Sequence, residues 1–215
     1  FMLVLSHDEV VHEKSSMVGK MPGDEWQRFA NLRLMFSYMF THPGTKLIFM
    51  GGEFGQTSEW NFQQSLDWHL LEFEPHKGMK ECVKALNHLY KTEPAMFDHS
   101  FTHEGFEWID TQDRVNSVLV YSRKSLDPTQ DIEIILNLTP VPRPGYKVGV
   151  LSEGDWQEIF NSDSTQFYGS GMINSQPIKS NSEEWHGRKN SILIDLPPLG
   201  AIVLKKGKTT KNKKK

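Results

Sequence analysis

The stretch Phe1–Lys14, "FMLVLSHDEVVHEK", decides the reading of the chain. Five apolar residues run unbroken from Phe1 to Leu5 and stop at Ser6, His7, Asp8 and Glu9. Amphipathic strands alternate, and surface helices repeat their apolar residues every three or four positions; this run does neither. It reads as a strand buried on both faces of a parallel sheet, ending where polar side chains gather.

Working outward, "HEKSSMVGKMPGD" is rich in turn formers and reads as a long loop, longer than a plain connector. Asp24 then signals a helix start, and "EWQRFANLRLMFSYMF" repeats Trp26, Phe29, Leu32, Met35 or Phe36, and Met39 or Phe40 at helical spacing until "THPG" stops it. The segment "TKLIFMGGEFGQ" repeats the opening pattern, with a short apolar run from Leu47 to Met50 ended by Gly51, Gly52 and Glu53. A second helix follows in "HKGMKECVKALNHLYKTEP". Two strand-loop-helix units in succession mark a parallel α/β arrangement, in which ligand sites form at the carboxyl ends of the strands.

Beyond about Phe97 the texture changes. "FEWID", "SVLVYSRK", "DIEIILNLT", "YKVGVL", "WQEIFN", "SILIDL" and "AIVLKK" are short alternating or β-branched runs separated by Asp, Asn, Gly and Pro. They predict an antiparallel β-sandwich of about seven strands as a second domain over 97–205, after an α/β segment over 1–96. The sandwich is expected to bury Phe106, Trp108, Val118, Val120, Ile135 and Leu193 by itself, so that it resists proteolysis while the first ninety or so residues do not. Trp156 and Trp185 fall within it and are expected to pack. His186 and Arg188 read as turn residues.

Composition narrows the function. With 215 residues, 37% hydrophobic, 6 Trp and 13 Phe, the chain can bury a sizeable core. No apolar stretch approaches the roughly 20 residues that span a bilayer, so no membrane contact is expected. The lone Cys82 excludes an internal disulfide framework, fits a reducing, cytoplasmic setting, and is expected in the core or on a helix surface. The last eleven residues, "KKGKTTKNKKK", hold seven Lys; without them the net charge moves from −3 to −10. Residues 206–215 are read as a disordered Lys-rich tail, and the acidic body argues against nucleic acid as a partner. A start at Phe1 inside a strand suggests a chain cut from a longer protein.

Three chemistries compete for the opening cluster. A zinc pair on a helix needs two His four apart, whereas His7 and His12 are five apart with β-branched valines between them, so no metal site is expected. A carboxylate and an imidazole at a strand end suit a sugar or acid/base site better, since they can bond a pair of vicinal hydroxyls. Alternatively Asp8 only caps the loop. Trp60 and Trp68, in the loop after the second strand, could stack on a sugar ring or pack as core. Glu53 could line the site or orient its loop.

"LVLSHDEVV" resembles the strand-seven motif of the α-amylase superfamily of (β/α)8 barrels. "MPGDEWQRFANLR", "KLIFMGGEFGQTSEWNFQQSLDWHLL" and "WHGRKNSILIDLPPLGAIVL" resemble the C-terminal half of bacterial 1,4-α-glucan (glycogen) branching enzymes. The resemblance covers nearly the whole chain except the Lys-rich tail. It implies the last two β/α units of a (β/α)8 barrel followed by a C-terminal antiparallel β-sandwich. It also implies Asp8 as the third essential carboxylate, a stabiliser of the transition state, and His7 as a hydroxyl ligand, with Glu53, Trp60 and Trp68 as candidate substrate-binding residues. The partner implied is α-1,4-glucan or glycogen; no cofactor is implied, and the full-length enzyme is implied to be a monomer. The nucleophile and the acid/base would lie upstream of Phe1, so the chain alone is expected to be inactive. The family usually has Gly where Glu13 stands and reads G-N-E-F where this chain has Gly51, Gly52, Glu53 and Phe54. The rival reading is a non-catalytic carbohydrate-binding module, with an amylase-type hydrolase fragment as a third.

Overall fold

The computed structural model describes residues 2–207. Strand β1 (Met2–Val4) pairs in parallel with β2 (Thr45–Leu47), Leu3 opposite Lys46, and helix α1 (Glu25–Thr41) connects them. Asp24 caps α1 as its composition suggests: its carboxylate accepts the Gln27 N–H at 2.8 Å, and the Gln27 side chain accepts the Asp24 N–H at 3.1 Å. Helix α2 (Glu74–Thr92) follows, with Pro75 in its first turn.

The second strand is shorter than expected. It ends at Leu47, and Ile48 to Met50 run on outside any ladder. Nor is it buried on both faces: Leu47 and Met50 are exposed. β2 has β1 as its one ladder partner among the described residues, so no further strand covers these side chains.

The remaining strands are β3 (Phe106–Asp110), β4 (Val118–Arg123), β5 (Ile132–Asn137), β6 (Arg143–Val150), β7 (Asp155–Asn161), β8 (Ile178–Lys179), β9 (Asn190–Leu196) and β10 (Gly200–Lys206). They form an antiparallel sheet in the order β3-β4-β5-β10-β7-β8 and a hairpin-like pair β6-β9. Alternation along the strands sorts their side chains into two clusters. Ile132, Ile134 and Leu136 of β5, with Ala201 and Val203 of β10, face α1 and α2. Ile135, Ile202 and Leu204 face the other way, onto Val148, Val150, Ile192 and Ile194 of the β6-β9 pair.

The first cluster adds the helices to the sheet, where the sequence had the sandwich burying its core by itself. Phe29, Leu32, Phe36, Met39 and Phe40 of α1, and Met79, Cys82, Val83, Leu86 and Leu89 of α2, form one buried body with Tyr121, Phe160 and the outer face of β5 and β10. Cys82 is wholly buried there, and burial pushes its thiol up to about 12. Without the helices that sheet face would meet water, since each such side chain contributes roughly 1.5–3 kcal/mol by leaving it. Other expected core positions also differ. Val118, Val120, Ile135 and Trp156 are buried, but Phe106 is only half-buried, and Trp108, Trp185 and Leu193 are exposed. In "SILIDL" three apolar residues are adjacent, so pattern alone does not say that Ile192, Ile194 and Leu196 point inward and Leu193 out. The tail residues 208–215 lie outside the described residues, while Lys206 still belongs to β10.

Polar groups tie the helices to the sheet. Arg123 is fully buried, and its guanidinium donates to the carbonyls of Thr41 at 2.8 Å, Met96 at 3.1 Å and Gly105 at 3.2 Å. Arg33 of α1 donates from Nε to the Ser162 carbonyl at 2.9 Å, and the hydroxyls of Thr41 and Tyr121 meet at 2.5 Å. Each bond joins residues 27 or more apart in sequence except Arg123 to Gly105, which spans 18.

Candidate functional site

The loops after β1 and β2 leave the same end of the parallel pair and dock on each other. His7, Asp8 and Glu9 form a single 3-10 turn, started by Ser6, whose hydroxyl accepts the Asp8 N–H at 3.4 Å. His7 Nε2 lies 3.1 Å from Asp8 Oδ1, and both side chains stay open to solvent, 53% and 68% exposed. That exposure leaves lone pairs and an N–H free for a ligand. Lys14 donates to the Asp8 carbonyl at 2.7 Å, and Lys20 pairs with Glu9 at 3.1 Å, so the basic residues hold the turn rather than neutralise Asp8.

Aromatic rings from the second loop back the imidazole. The His7 ring is 6.0 Å from Trp60, edge to face, and 6.2 Å from Phe49, while Phe49 and Trp60 meet at 5.3 Å and 88°. The Trp60 N–H donates to the Val10 carbonyl at 2.9 Å, which fixes one loop against the other. Leu5, Ser6, Val10, Phe36, Ile48, Phe49 and Trp60 line a hollow beside this turn, which His7 and Asp8 themselves do not line. Trp60 is half-buried, so it offers part of its indole rather than a bare face.

The remaining expected residues sit elsewhere. Glu53 lies in the 3-10 turn Gly52–Phe54, partly exposed and outside the hollow. Trp68 is 53% exposed, but its ring rests 5.4 Å from Phe54 on a separate part of the surface. The structure therefore brings together His7, Asp8 and Trp60, and not Glu53 or Trp68.

Two supports were not legible beforehand. The Glu59 carboxylate accepts the N–H groups of Ser15 at 2.7 Å and Glu13 at 3.1 Å, clamping the first loop where His12, Glu13 and Ser15 have φ of 57°, 63° and 68°. This backbone turns two N–H groups toward one anion, and the neighbour in sequence of Trp60 supplies it. The left-handed backbone also gives a physical reason for glycine at position 13 in the family that the sequence resembles. In the second loop, Gly55 has φ of 67°, and a Cβ there would meet Phe29 at 2.9 Å; His76 of α2 holds the same loop through Phe54 O at 2.8 Å. Among the described residues, no group of three or more His, Cys, Asp or Glu could hold a metal ion, and no helix is long and apolar enough to cross a membrane.

Residues 108–207 match the family described as alpha amylase, C-terminal all-beta domain. The fold agrees: over 96% of the chain, the structure superimposes on 39% of an alpha-amylase from H. orenii, with a TM-score of 0.57 at 18% identity. More specifically, the chain is homologous to the C-terminal region of 1,4-alpha-glucan branching enzymes. It is 52% identical over 95% of its length to that of Aquifex aeolicus, covering 32% of the relative, and 56% identical over 95% to that of Nitrosococcus oceani, covering 27%. The chain thus spans about a third or less of the curated relatives it matches.

Proposed function

We propose that this chain is the C-terminal part of a 1,4-α-glucan branching enzyme, a cytoplasmic glycogen-building transglycosylase, and that β1, α1, β2 and α2 are the last two β/α units of its catalytic (β/α)8 barrel. The observation that carries the reading is the open His7–Asp8 pair on the turn directly after a parallel strand, backed by Trp60 from the loop after the next. The strong likeness to branching enzymes over 95% of the chain supports it.

In the whole enzyme a carboxylate nucleophile about 5 Å from a carboxylic acid would cleave an α-1,4 bond and hold the glycosyl unit covalently. The 6-hydroxyl of another glucan chain would then accept it. In this reading both groups lie upstream of Phe1, and the chain alone neither branches nor hydrolyses amylose. Asp8 and His7 bind vicinal hydroxyls of the reacting glucose, and Asp8 tightens its bond as the ring becomes oxocarbenium-like. Trp60 supports the imidazole and offers an edge to the sugar.

The test is Asp8→Asn in the whole enzyme. Loss of a bond made mainly in the transition state lowers kcat by about 10²-fold or more and leaves KM nearly unchanged. A rise in KM alone would make Asp8 an ordinary substrate ligand, and unchanged kinetics would remove it from the site.

A further inference from the structure

A second groove, distant in sequence from His7 and Asp8 and sharing no residue with the hollow beside them, opens on the sandwich between the end of β3, the start of β6 and the turn before β9. Its volume is ≈ 680 Å³, and Asp110, Asp113, Arg143, Tyr146, Trp185 and His186 line it. Trp185 is 43% exposed, although a tryptophan among sandwich strands was expected to pack.

The platform under this indole is held from three sides. Trp185 and Arg188 exchange backbone bonds of 3.0 and 2.8 Å across a tight turn in which His186 and Gly187 have φ of 49° and 69°. His186 accepts the Gly149 N–H at Nδ1, 3.4 Å, and its Nε2 lies 3.3 Å from the Asp110 carboxylate. Arg188 pairs with Glu107. Gly149 is required at this point, because a Cβ would lie 2.1 Å from the Trp185 carbonyl. Lys147 places its ammonium 5.2 Å from the indole centroid while paired with Glu183 at 2.5 Å. An exposed aromatic held this firmly loses little entropy on binding.

Polar groups around it are of mixed kind. The Asp113 carboxylate accepts the Tyr146 hydroxyl at 2.8 Å and the Asn116 side chain at 2.8 and 3.1 Å, which orients both. Burial pulls the Asp113 carboxyl up, but those bonds and the nearby Arg143 charge outweigh it, and it stays below its usual range. Arg143 Nε is buried with no acceptor among the described residues. Burial lowers the His186 pKa, with the Asp110 and Asp113 carboxylates opposing. Asp110 and Asp113 thus face Arg143 and a Lys147 already paired with Glu183. An anionic ligand would find no excess of positive charge here, whereas a neutral chain of hydroxyls would find an aromatic platform with acceptors and donors at its rim.

We propose that this groove binds a neutral α-1,4-glucan segment against Trp185, as a holding site separate from the reacting one. The identity of the sugar rests on the branching reading above; the groove and its aromatic platform do not. A second grip on a polymer raises the effective concentration of the rest of that polymer at the reacting end.

The test uses the full 215-residue chain titrated with maltoheptaose, read at the indole N–H signals by NMR, with inorganic phosphate as the anionic probe. A saturable shift of the Trp185 indole is expected with maltoheptaose and none with phosphate. Trp185→Ala should weaken binding at least about fivefold, Trp185→Phe less, and Asp8→Asn should leave the Trp185 shift unchanged. If Trp185→Ala fails to fold, the unmodified chain and Trp185→Phe still decide. No Trp185 shift at saturating sugar, equal binding by the variants, or a response to phosphate would overturn the proposal. Failure of the branching reading is seen separately, as unchanged turnover of the whole enzyme carrying Asp8→Asn.

Discussion

Arg123 and His7 are both polar side chains set among aromatic rings, and the molecule treats them in opposite ways. Arg123 is 0% exposed at the helix-to-sheet interface, and all three of its donor positions are met by carbonyls from three separate segments. Burial depresses its pKa to about 10, yet leaves it charged. His7 is 53% exposed in the loop layer, and its one described polar contact is with Asp8. A buried polar group must find all its partners within the fold, so it serves stability; an exposed pair with bonds to spare is available to a ligand. The interface therefore serves stability, while the loops leave polar groups open to a ligand.

The largest effect that sharpens this contrast is expected at Arg123. Arg123→Leu strands the carbonyls of Thr41, Met96 and Gly105 in an apolar interior and should lower unfolding free energy by about 4 kcal/mol in urea titration. Asp8→Asn, by contrast, should leave that free energy nearly unchanged. A destabilisation by Asp8→Asn comparable to that of Arg123→Leu would erase the distinction.

Next in size is Glu133, a carboxylic acid buried between the two sheets. Its Oε1 accepts the Leu151 N–H at 3.2 Å, and its Oε2 has no partner among the described residues. Burial raises its pKa to about 8, the Leu151 bond and Arg188 opposing. Because the folded state binds the proton more tightly than the unfolded one, this group's contribution is least harmful below about pH 4.5 and worsens as pH rises toward 8, then levels. Glu133→Gln, a mimic of the neutral acid, should stabilise the chain by roughly 3 kcal/mol at pH 7 and by almost nothing at pH 4. A stability curve with unaltered pH dependence in the variant would place the Glu133 carboxylate in contact with water.

The smallest effect lies back in the loop layer. Glu13 holds φ of 63°, and its N–H rather than its side chain bonds Glu59. Glu13→Gly keeps that bond and relieves the left-handed strain, so the melting temperature should rise slightly, by the equivalent of about 0.5–1 kcal/mol. A fall in melting temperature would mean that the Glu13 side chain contributes to the loop.

These outcomes also mark what could be read from the chain. Asp24 and Gln27 announced the start of α1, and the alternation in β5 and β10 announced their pleat, because caps and periods are local. The His7–Asp8 pair was visible through its abrupt position after an apolar run. Trp60 was visible only as one of several candidates, since whether an indole faces His7 or Phe54 depends on how two loops meet. The Glu59 clamp joins residues 44 and 46 apart, and the Arg33 bond to Ser162 joins residues 129 apart, distances over which no periodicity speaks. Strand β8 is two residues long and leaves no pattern. The cover on the sandwich was not legible for the same reason: the outer face of β5 is apolar, but nothing local says that α1 and α2 cover it.

Native-state amide exchange on the full chain tests the shared body most directly. If the helices and the sheet are one cooperative unit, amides of α1 and α2 will exchange with the same free energy as those of β5 and β10, while residues 6–20 and 50–68 exchange faster. Fast exchange throughout α1 and α2 beside slow exchange in β5 and β10 would contradict the account, and would return the sandwich to a domain that stands alone.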